Sequence, residues 1–213
     1  IGQMADLHFP PTAHAEATLL SEGVSADDVF LTGNTVIDTL LLTRERVTQN
    51  IPEAAKAIQP LTEHKRVVLV TGHRRESHGQ GFENICHAIR NVAEQFDDVN
   101  FIYPVHLNPK VQEPVNRILG EHPRIHLVAP LSYEPFVWLL NQSDLVLTDS
   151  GGVQEEAPSF GKPVLVMRDT TERPEGVEAG NAKLVGTCQA TIESELTRLL
   201  SDPDAYAEMA DAP

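Results

Sequence analysis

The sequence predicts an α/β fold organised as a doubly wound parallel sheet, and three observations carry that prediction. Short runs of β-branched and aliphatic residues recur between Arg66 and Val185. Segments with apolar residues at helical spacing separate them, and strands alternating with helices imply parallel pairing through right-handed crossovers. Two chemically dense segments, Thr71-Gly72-His73-Arg74-Arg75-Glu76-Ser77 and Thr148-Asp149-Ser150-Gly151-Gly152-Val153-Gln154-Glu155-Glu156, each follow a strand-like run and precede a helical one. In open α/β sheets, that position is the ligand edge, beyond the carboxyl ends of the strands.

The elements follow in order. Residues 5–9 read as a short strand that Pro10-Pro11 breaks. Thr12 suits the cap of a helix running to Glu22, with Ala13, Ala17 and Leu20 on one side, and Gly23 ends it. Residues 29–31 read as another short strand. Gly33-Asn34 turns into a helix from Thr35 to Gln49, with Val36, Leu40 and Val47 on one face. Residues 52–63 are polar and weakly patterned, a helix plus a linker.

From Arg66 the pattern is regular. Strands are expected at Arg66–Thr71, 100–105, 125–129, Leu145–Thr148, 164–167 and 183–185. Phe82, Ile85, Ile89, Val92 and Phe96 form one helical stripe; Val111, Val115, Ile118 and Leu119 form a second that stops at Gly120. Phe136, Val137, Leu139 and Leu140 sit in a third helix. Residues 151–160 make a short fourth, limited by Pro158 and Gly161, and Ile192, Leu196, Leu199 and Leu200 mark a terminal one. If Arg66–Thr71 is strand one of the order 3-2-1-4-5-6, Leu145–Thr148 is strand four. The two dense segments then face each other where the strand order reverses.

Bulk properties narrow the function classes. A chain of 213 residues suits one or two domains and needs no disulfide or metal staple. Its net charge of −15 argues against a nucleic-acid partner, so Arg74 and Arg75 stand out as local cations. Cys86 and Cys188 have no metal-ligand spacing, and Cys86 falls on an apolar helix face as a small hydrophobe. The sequence contains neither an apolar run of about 18 residues nor a signal-peptide pattern, so a cytoplasmic enzyme without a membrane partner is the default. His8, His14, His64, His78, His87, His122 and His126 show no paired ligand spacing, and no metal site is expected. There is no P-loop and no nucleophile elbow, and Gly79-Gln80-Gly81 lacks the third glycine of a dinucleotide fingerprint and reads as a loop and helix start.

The dense segments supply the chemistry. Ser150-Gly151-Gly152 lets a phosphate approach backbone N–H groups at a strand–helix turn. A tight turn with no ligand fits the local sequence equally well. Glu155 and Glu156 follow, either complementing the helix dipole or accepting from ribose hydroxyls. His73 at a strand's carboxyl end suits donation to a phosphate or a leaving oxygen, beside arginines fit for phosphate. His106, in Tyr103-Pro104-Val105-His106-Leu107-Asn108-Pro109, is either a ligand contact or a helix cap. Arg168-Asp169-Thr170-Thr171-Glu172-Arg173-Pro174-Glu175 reads as a charged loop on the same edge, with Arg173 a phosphate or sugar contact.

In combination these motifs, with Phe30-Leu31-Thr32-Gly33-Asn34-Thr35-Val36-Ile37-Asp38, resemble the non-hydrolysing bacterial UDP-N-acetylglucosamine 2-epimerases over nearly the whole chain. The resemblance implies two Rossmann-like domains of glycosyltransferase-B-like architecture with the active site between them. It implies interconversion of UDP-N-acetylglucosamine and UDP-N-acetylmannosamine in the cytoplasm, for cell-envelope polysaccharide biosynthesis, by a homodimer of the full-length protein. The route is anti-elimination of UDP to 2-acetamidoglucal and re-addition with the opposite configuration at C2. That chemistry needs no redox cofactor and no metal.

Carried onto this chain, the resemblance has His73 assist departure and return of the diphosphate. Ser150, Gly151 and Gly152 bind phosphate, Glu156 holds the ribose, Phe136 lies near the uracil and Arg173 helps bind the nucleotide-sugar. In family members with an allosteric UDP-N-acetylglucosamine, the positions matching Arg74 and His106 are implicated there. Residues 1–32 resemble the end of an amino-terminal Rossmann-like domain that is otherwise missing. Residues 33–213 resemble the carboxyl-terminal UDP-binding domain, truncated before its final crossing helix. Both ends read as cut: Ile1-Gly2-Gln3 precedes Met4, and a polar helical stretch stops at Pro213. The carboxylates that move the C2 proton belong to the missing domain. The rival readings are a UDP-sugar glycosyltransferase-like enzyme and a nucleotide-sugar binding module without catalysis.

Overall fold

Parallel pairing at the centre of the sheet sets everything that follows. The computed structural model describes residues 4–77 and 79–212; residues 1–3, His78 and Pro213, named above, lie outside them. The chain divides into two units, Ile1–Leu42 and Thr43–Pro213.

In the first unit, α1 spans Ala13–Ser21, and the Thr12 side chain accepts from the Ala15 N–H at 3.2 Å. Gly23, at φ +88°, turns the chain out of it. The two short strands expected here shrink to one parallel bridge, His8 with Val29. Two extended segments with no third neighbour among the described residues do not sustain a ladder. Phe9 and Phe30 stack with centroids 5.8 Å apart. Helix α2, Thr35–Gln49, runs from this unit into the next. Leu40 and Val47 are buried, whereas Val36 is exposed.

After the end of α2 the second unit continues with the short helix α3, Glu53–Lys56, and a 3₁₀ turn at Gln59–Leu61. Then come β1 Arg66–Thr71, α4 Gln80–Gln95, β2 Val99–Pro104, α5 Pro109–Leu119 and β3 Ile125–Val128. They are followed by α6 Tyr133–Gln142, β4 Leu145–Thr148, α7 Gly151–Glu156 and β5 Val164–Val166. The chain closes with α8 Pro174–Ala179, β6 Ala182–Leu184, α9 Gln189–Ser201 and α10 Pro203–Ala210.

The sheet order is β3-β2-β1-β4-β5-β6, as the sequence predicts. Registers such as Val68 with Phe101 and Val70 with Leu147 are all parallel. Val67, Val68, Leu69 and Val70 are fully buried, because helices cover both faces of β1. On one face α4 packs against α5 and α9 through Phe82, Ile85, Ile89, Val92, Val115 and Leu196. Each such side chain contributes roughly 1.5–3 kcal/mol by leaving water. Toward the other face, α6 packs on β1 and α3. Strand ends differ from expectation by a residue or so at β2, β3, β5 and β6. Among the described residues, the omitted α-helix is α8, within the stretch read as a charged loop. It starts with Pro174 and stops at Gly180 in the left-handed region, φ +94°, but buries no side chain, so its six residues lack an apolar stripe.

Candidate active site

β1 and β4 are neighbours, so their carboxyl ends bring the two dense segments together at the reversal point of the sheet. Thr71 pairs with Thr148 in register, and their hydroxyls are 2.6 Å apart. Beyond them the chains are tied by Asp149. Its backbone N–H donates to the Thr71 carbonyl at 3.1 Å. Its carboxylate Oδ2 accepts from the backbone N–H groups of both His73 and Arg74, each at 2.7 Å. A residue that is 1% exposed therefore fixes the first turn of the β1 loop.

The sequence-predicted residues gather around this tie. The His73 imidazole stands exposed at the loop and stacks on His106, centroids 5.0 Å apart and planes 9° from parallel. His106 is not the cap of α5. Asn108 holds that role, accepting from the Lys110 N–H at 3.0 Å, and the Asn108 N–H donates to His106 Nδ1. Ser150 precedes the first residue of α7, with its N–H held by Thr148 Oγ1 at 2.9 Å. A Cβ built at Gly152 meets nothing within 4 Å, and one at Gly151 meets only the Arg74 guanidinium at 3.8 Å. Internal packing therefore does not require glycine at either position. At Gly72 it does: a Cβ there comes 3.2 Å from both Met167 Cε and the Tyr103 hydroxyl.

Glu156 is buried and accepts from the Tyr133 hydroxyl at 3.2 Å. Burial pushes its carboxyl up, against the pull of that hydrogen bond, and the Glu155 charge adds to the rise. The Tyr133 hydroxyl is itself pushed up to about 12, by burial first and then by the Glu156 charge. Phe136 is half-buried one helical turn beyond Tyr133. The charged segment after β5 is strapped to this edge. Thr171 donates to Gln154 at 2.6 Å, and Arg173 pairs with Glu155 and donates to the Glu172 carbonyl. Buried Arg168 grips Glu172 with two hydrogen bonds, at 2.6 and 3.0 Å, and Glu76 with a third at 2.7 Å. Arg168 holds the Glu172 carboxyl down at about 2.

Sequence reasoning missed three members: Asp149, Tyr133 and Arg168. Asp149 lay within a quoted motif, yet its partners are backbone groups 75 and 76 positions away. Tyr133 finds Glu156 across 23 positions and Arg168 finds Glu76 across 92. Local pattern carries no signal for such pairings. An open depression of about 930 Å³ lies farther along the sheet, lined by Asn84, Arg168, Asp169 and the turn from Gly186 to Cys188. It lies to the side of the His73–Gly152 crevice.

Sheet order and the crevice at its reversal point define a doubly wound Rossmann-like domain. Comparison narrows this further: the chain belongs to the UDP-N-acetylglucosamine 2-epimerase family, whose model matches residues 1–213. The chain is 54% identical to the probable UDP-N-acetylglucosamine 2-epimerase of Ralstonia nicotianae and 53% identical to the UDP-N-acetylglucosamine 2-epimerase of Escherichia coli K12. In both cases 99% of this chain aligns with 57% of the relative. The S. aureus MnaA–UDP co-structure superposes with a TM-score of 0.91 at 45% identity, covering 99% of this chain and 56% of that one. The Neisseria meningitidis UDP-GlcNAc 2-epimerase bound to UDP-GlcNAc gives 0.90 at 42%, covering 98% and 57%. The fold is thus the Rossmann-like type found in these glycosyltransferase-B-like epimerases. This chain spans little more than half the length of the relatives it matches. Among the described residues, no helix is long and apolar enough to cross a membrane.

Proposed function

We propose that this chain is the nucleotide-binding part of a UDP-N-acetylglucosamine 2-epimerase, with UDP seated in the β1/β4 crevice. The supporting observation is that His73 and Ser150-Gly151-Gly152 stand at adjoining strand ends, coupled by Asp149. The relatives solved with UDP and with UDP-GlcNAc share this fold at more than 40% identity.

In this reading Ser150, Gly151 and Gly152 take the phosphates, and the space above the two glycines admits them. Glu156, already oriented by Tyr133, accepts from the ribose hydroxyls, and Phe136 on the same helix as Tyr133 borders the uracil. Arg173, held by Glu155, faces the nucleotide-sugar. His73 serves the leaving diphosphate. A base removes the C2 proton, the C1–O bond breaks with its electron pair on the diphosphate oxygen, and a C1–C2 double bond forms. Re-addition reverses these steps with the proton delivered to the opposite face. The base belongs to an amino-terminal domain of which residues 1–32 form the end. Residues 33–213 form the UDP-binding domain, and on the family's pattern the complete protein is a cytoplasmic homodimer. Arg74 and His106 adjoin Gly151 and His73, so an allosteric nucleotide-sugar at the family's position would touch the catalytic loop directly.

Calorimetry with UDP tests the placement. A Cβ at Gly151 meets only the Arg74 guanidinium, so Gly151→Val is directed at the phosphate position and away from the core. The variant is expected to keep its circular dichroism spectrum and lose UDP binding; unchanged affinity rejects the crevice. For a complete protein, product analysis with no acceptor present separates an epimerase, which yields UDP-N-acetylmannosamine, from a glycosyltransferase.

A further inference from the structure

One carboxylate oxygen at the crevice is buried and takes no part in the steps proposed for the reaction. Asp149 spends Oδ2 on two backbone N–H groups, whereas Oδ1 has no hydrogen-bond partner among the described residues. An uncompensated carboxylate oxygen at a site 1% exposed is costly, and such costs concentrate where structure serves chemistry. Oδ1 lies 3.8 Å from His73 Nδ1. A charge-assisted N–H···O contact needs about 2.8 Å, so a movement of about 1 Å closes it. The His73 side chain is 45% exposed and free to make that adjustment, while Asp149 is fixed by its own backbone and by Oδ2.

We propose that Asp149 is a positioning residue for His73. Its free oxygen takes the imidazole Nδ1–H, so that Nε2 is the nitrogen presented to the diphosphate. The inference rests on the reading of His73 as the diphosphate partner. It extends that reading by naming which nitrogen works and what selects it. A neutral imidazole carries its proton on one nitrogen, and the hydrogen bond made by that nitrogen decides which. With Nδ1–H committed to Asp149, the protonated ring has its Nε2–H free for the oxygen that receives the electron pair of the C1–O bond. On re-addition the same nitrogen releases that oxygen. The His106 ring stacks on the face of His73 and leaves the ring edge to Asp149.

The rival is a purely structural Asp149 that only clamps the His73–Arg74 backbone. Asp149→Asn separates the two. Two backbone N–H groups at the Oδ2 position require the carboxamide oxygen there, which puts the NH₂ group at the Oδ1 position. An NH₂ group cannot accept from Nδ1–H, so the imidazole must carry its proton on Nε2. Long-range ¹H–¹⁵N correlation of the His73 ring at a pH where it is neutral reads the tautomer directly. The expected result is Nδ1–H in the wild-type chain and Nε2–H in the variant. An Nε2–H tautomer in the wild type, or the same tautomer in both, overturns the proposal. The wild-type reading alone can do so if the variant does not fold. UDP titration of the same His73 signals tests the underlying assignment independently. Signals indifferent to UDP reject His73 as the diphosphate partner, and the tautomer comparison still decides whether Asp149 sets the ring. In a complete epimerase, Asp149→Asn should lower kcat by about a hundredfold or more while KM moves less than about threefold. Equal effects on both would fit the clamp and not the positioning role.

Discussion

Single residues at this edge trade stability for chemistry, and Glu156 shows the trade most directly. Burial raises its carboxyl above the ordinary range, with Tyr133 pulling the other way. The folded state thus binds the proton more tightly than the unfolded chain does. This contribution is most favourable below the unfolded carboxylate pKa and declines as pH rises toward the folded value. Glu156→Gln removes the buried charge and keeps an acceptor for Tyr133. It should raise Tm at neutral pH by about 2–4 °C, on the order of 1 kcal/mol, and weaken UDP binding by about tenfold or more. A thermal melt beside a UDP titration checks both halves; unchanged UDP affinity would remove Glu156 from the ribose. The two cysteines diverge for similar physical reasons. Cys86 is buried, and burial pushes its thiol up to about 12. Cys188 is exposed at the start of α9, where a hydrogen bond with the Thr191 side chain, joined by the Thr191 and Ala190 N–H groups, lowers its pKa. Iodoacetamide should alkylate Cys188 in the native protein and leave Cys86 until unfolding, as peptide mass mapping would show.

At the scale of elements, the core depends on α4 lying between α5 and α9. Ile89 is fully buried in that layer. Ile89→Ala should cost about 3 kcal/mol through lost contacts and a residual cavity, read as a lower denaturant midpoint at unchanged slope. The strap after β5 answers to pH in the opposite sense from Glu156. Arg168 depresses the Glu172 carboxyl to about 2, so its stabilisation is present above the unfolded carboxylate pKa and fades as pH falls toward 2. Glu172→Gln should flatten the acid limb of the stability curve. Elements of this kind differ in how far sequence reveals them. The strands from Arg66 onward and the stripe of α4 are legible because burial imposes a period on the residues themselves. The six-residue α8 buries nothing and leaves no period, and the paired segments in residues 5–31 look like strands but have too few neighbours to become them. The candidate site is legible where it sits in contiguous motifs, as with His73 and Ser150-Gly151-Gly152. Asp149's tie to β1, Tyr133's bond to Glu156 and Arg168's grip on Glu76 arise only when the sheet brings distant segments together.

For the molecule as a whole, the governing question is whether this chain can turn over substrate. Removing a proton from the carbon that bears an acetamido group needs a positioned carboxylate or comparable base. Five carboxylates beside the crevice each already accept a hydrogen bond or pair with an arginine. Asp149 holds two backbone N–H groups, Glu156 accepts from Tyr133 and Glu155 pairs with Arg173. Glu76 and Glu172 both bind Arg168. An arginine-bound carboxylate is a weak base, as the depressed Glu172 shows. What remains, on the proposed function, is a surface for holding a nucleotide and assisting a leaving group. Water also weakens electrostatic help at an open edge compared with a closed cleft. The chain should therefore bind UDP without epimerising UDP-N-acetylglucosamine. Incubation of UDP-N-acetylglucosamine with this chain in D₂O, followed by proton NMR, is the decisive measurement. The C2 proton signal should persist at the rate of a protein-free control. Its protein-dependent loss would show that one of these five carboxylates, or another group on this chain, leaves its partner to act as the base, and the division of labour between two domains would have to be abandoned.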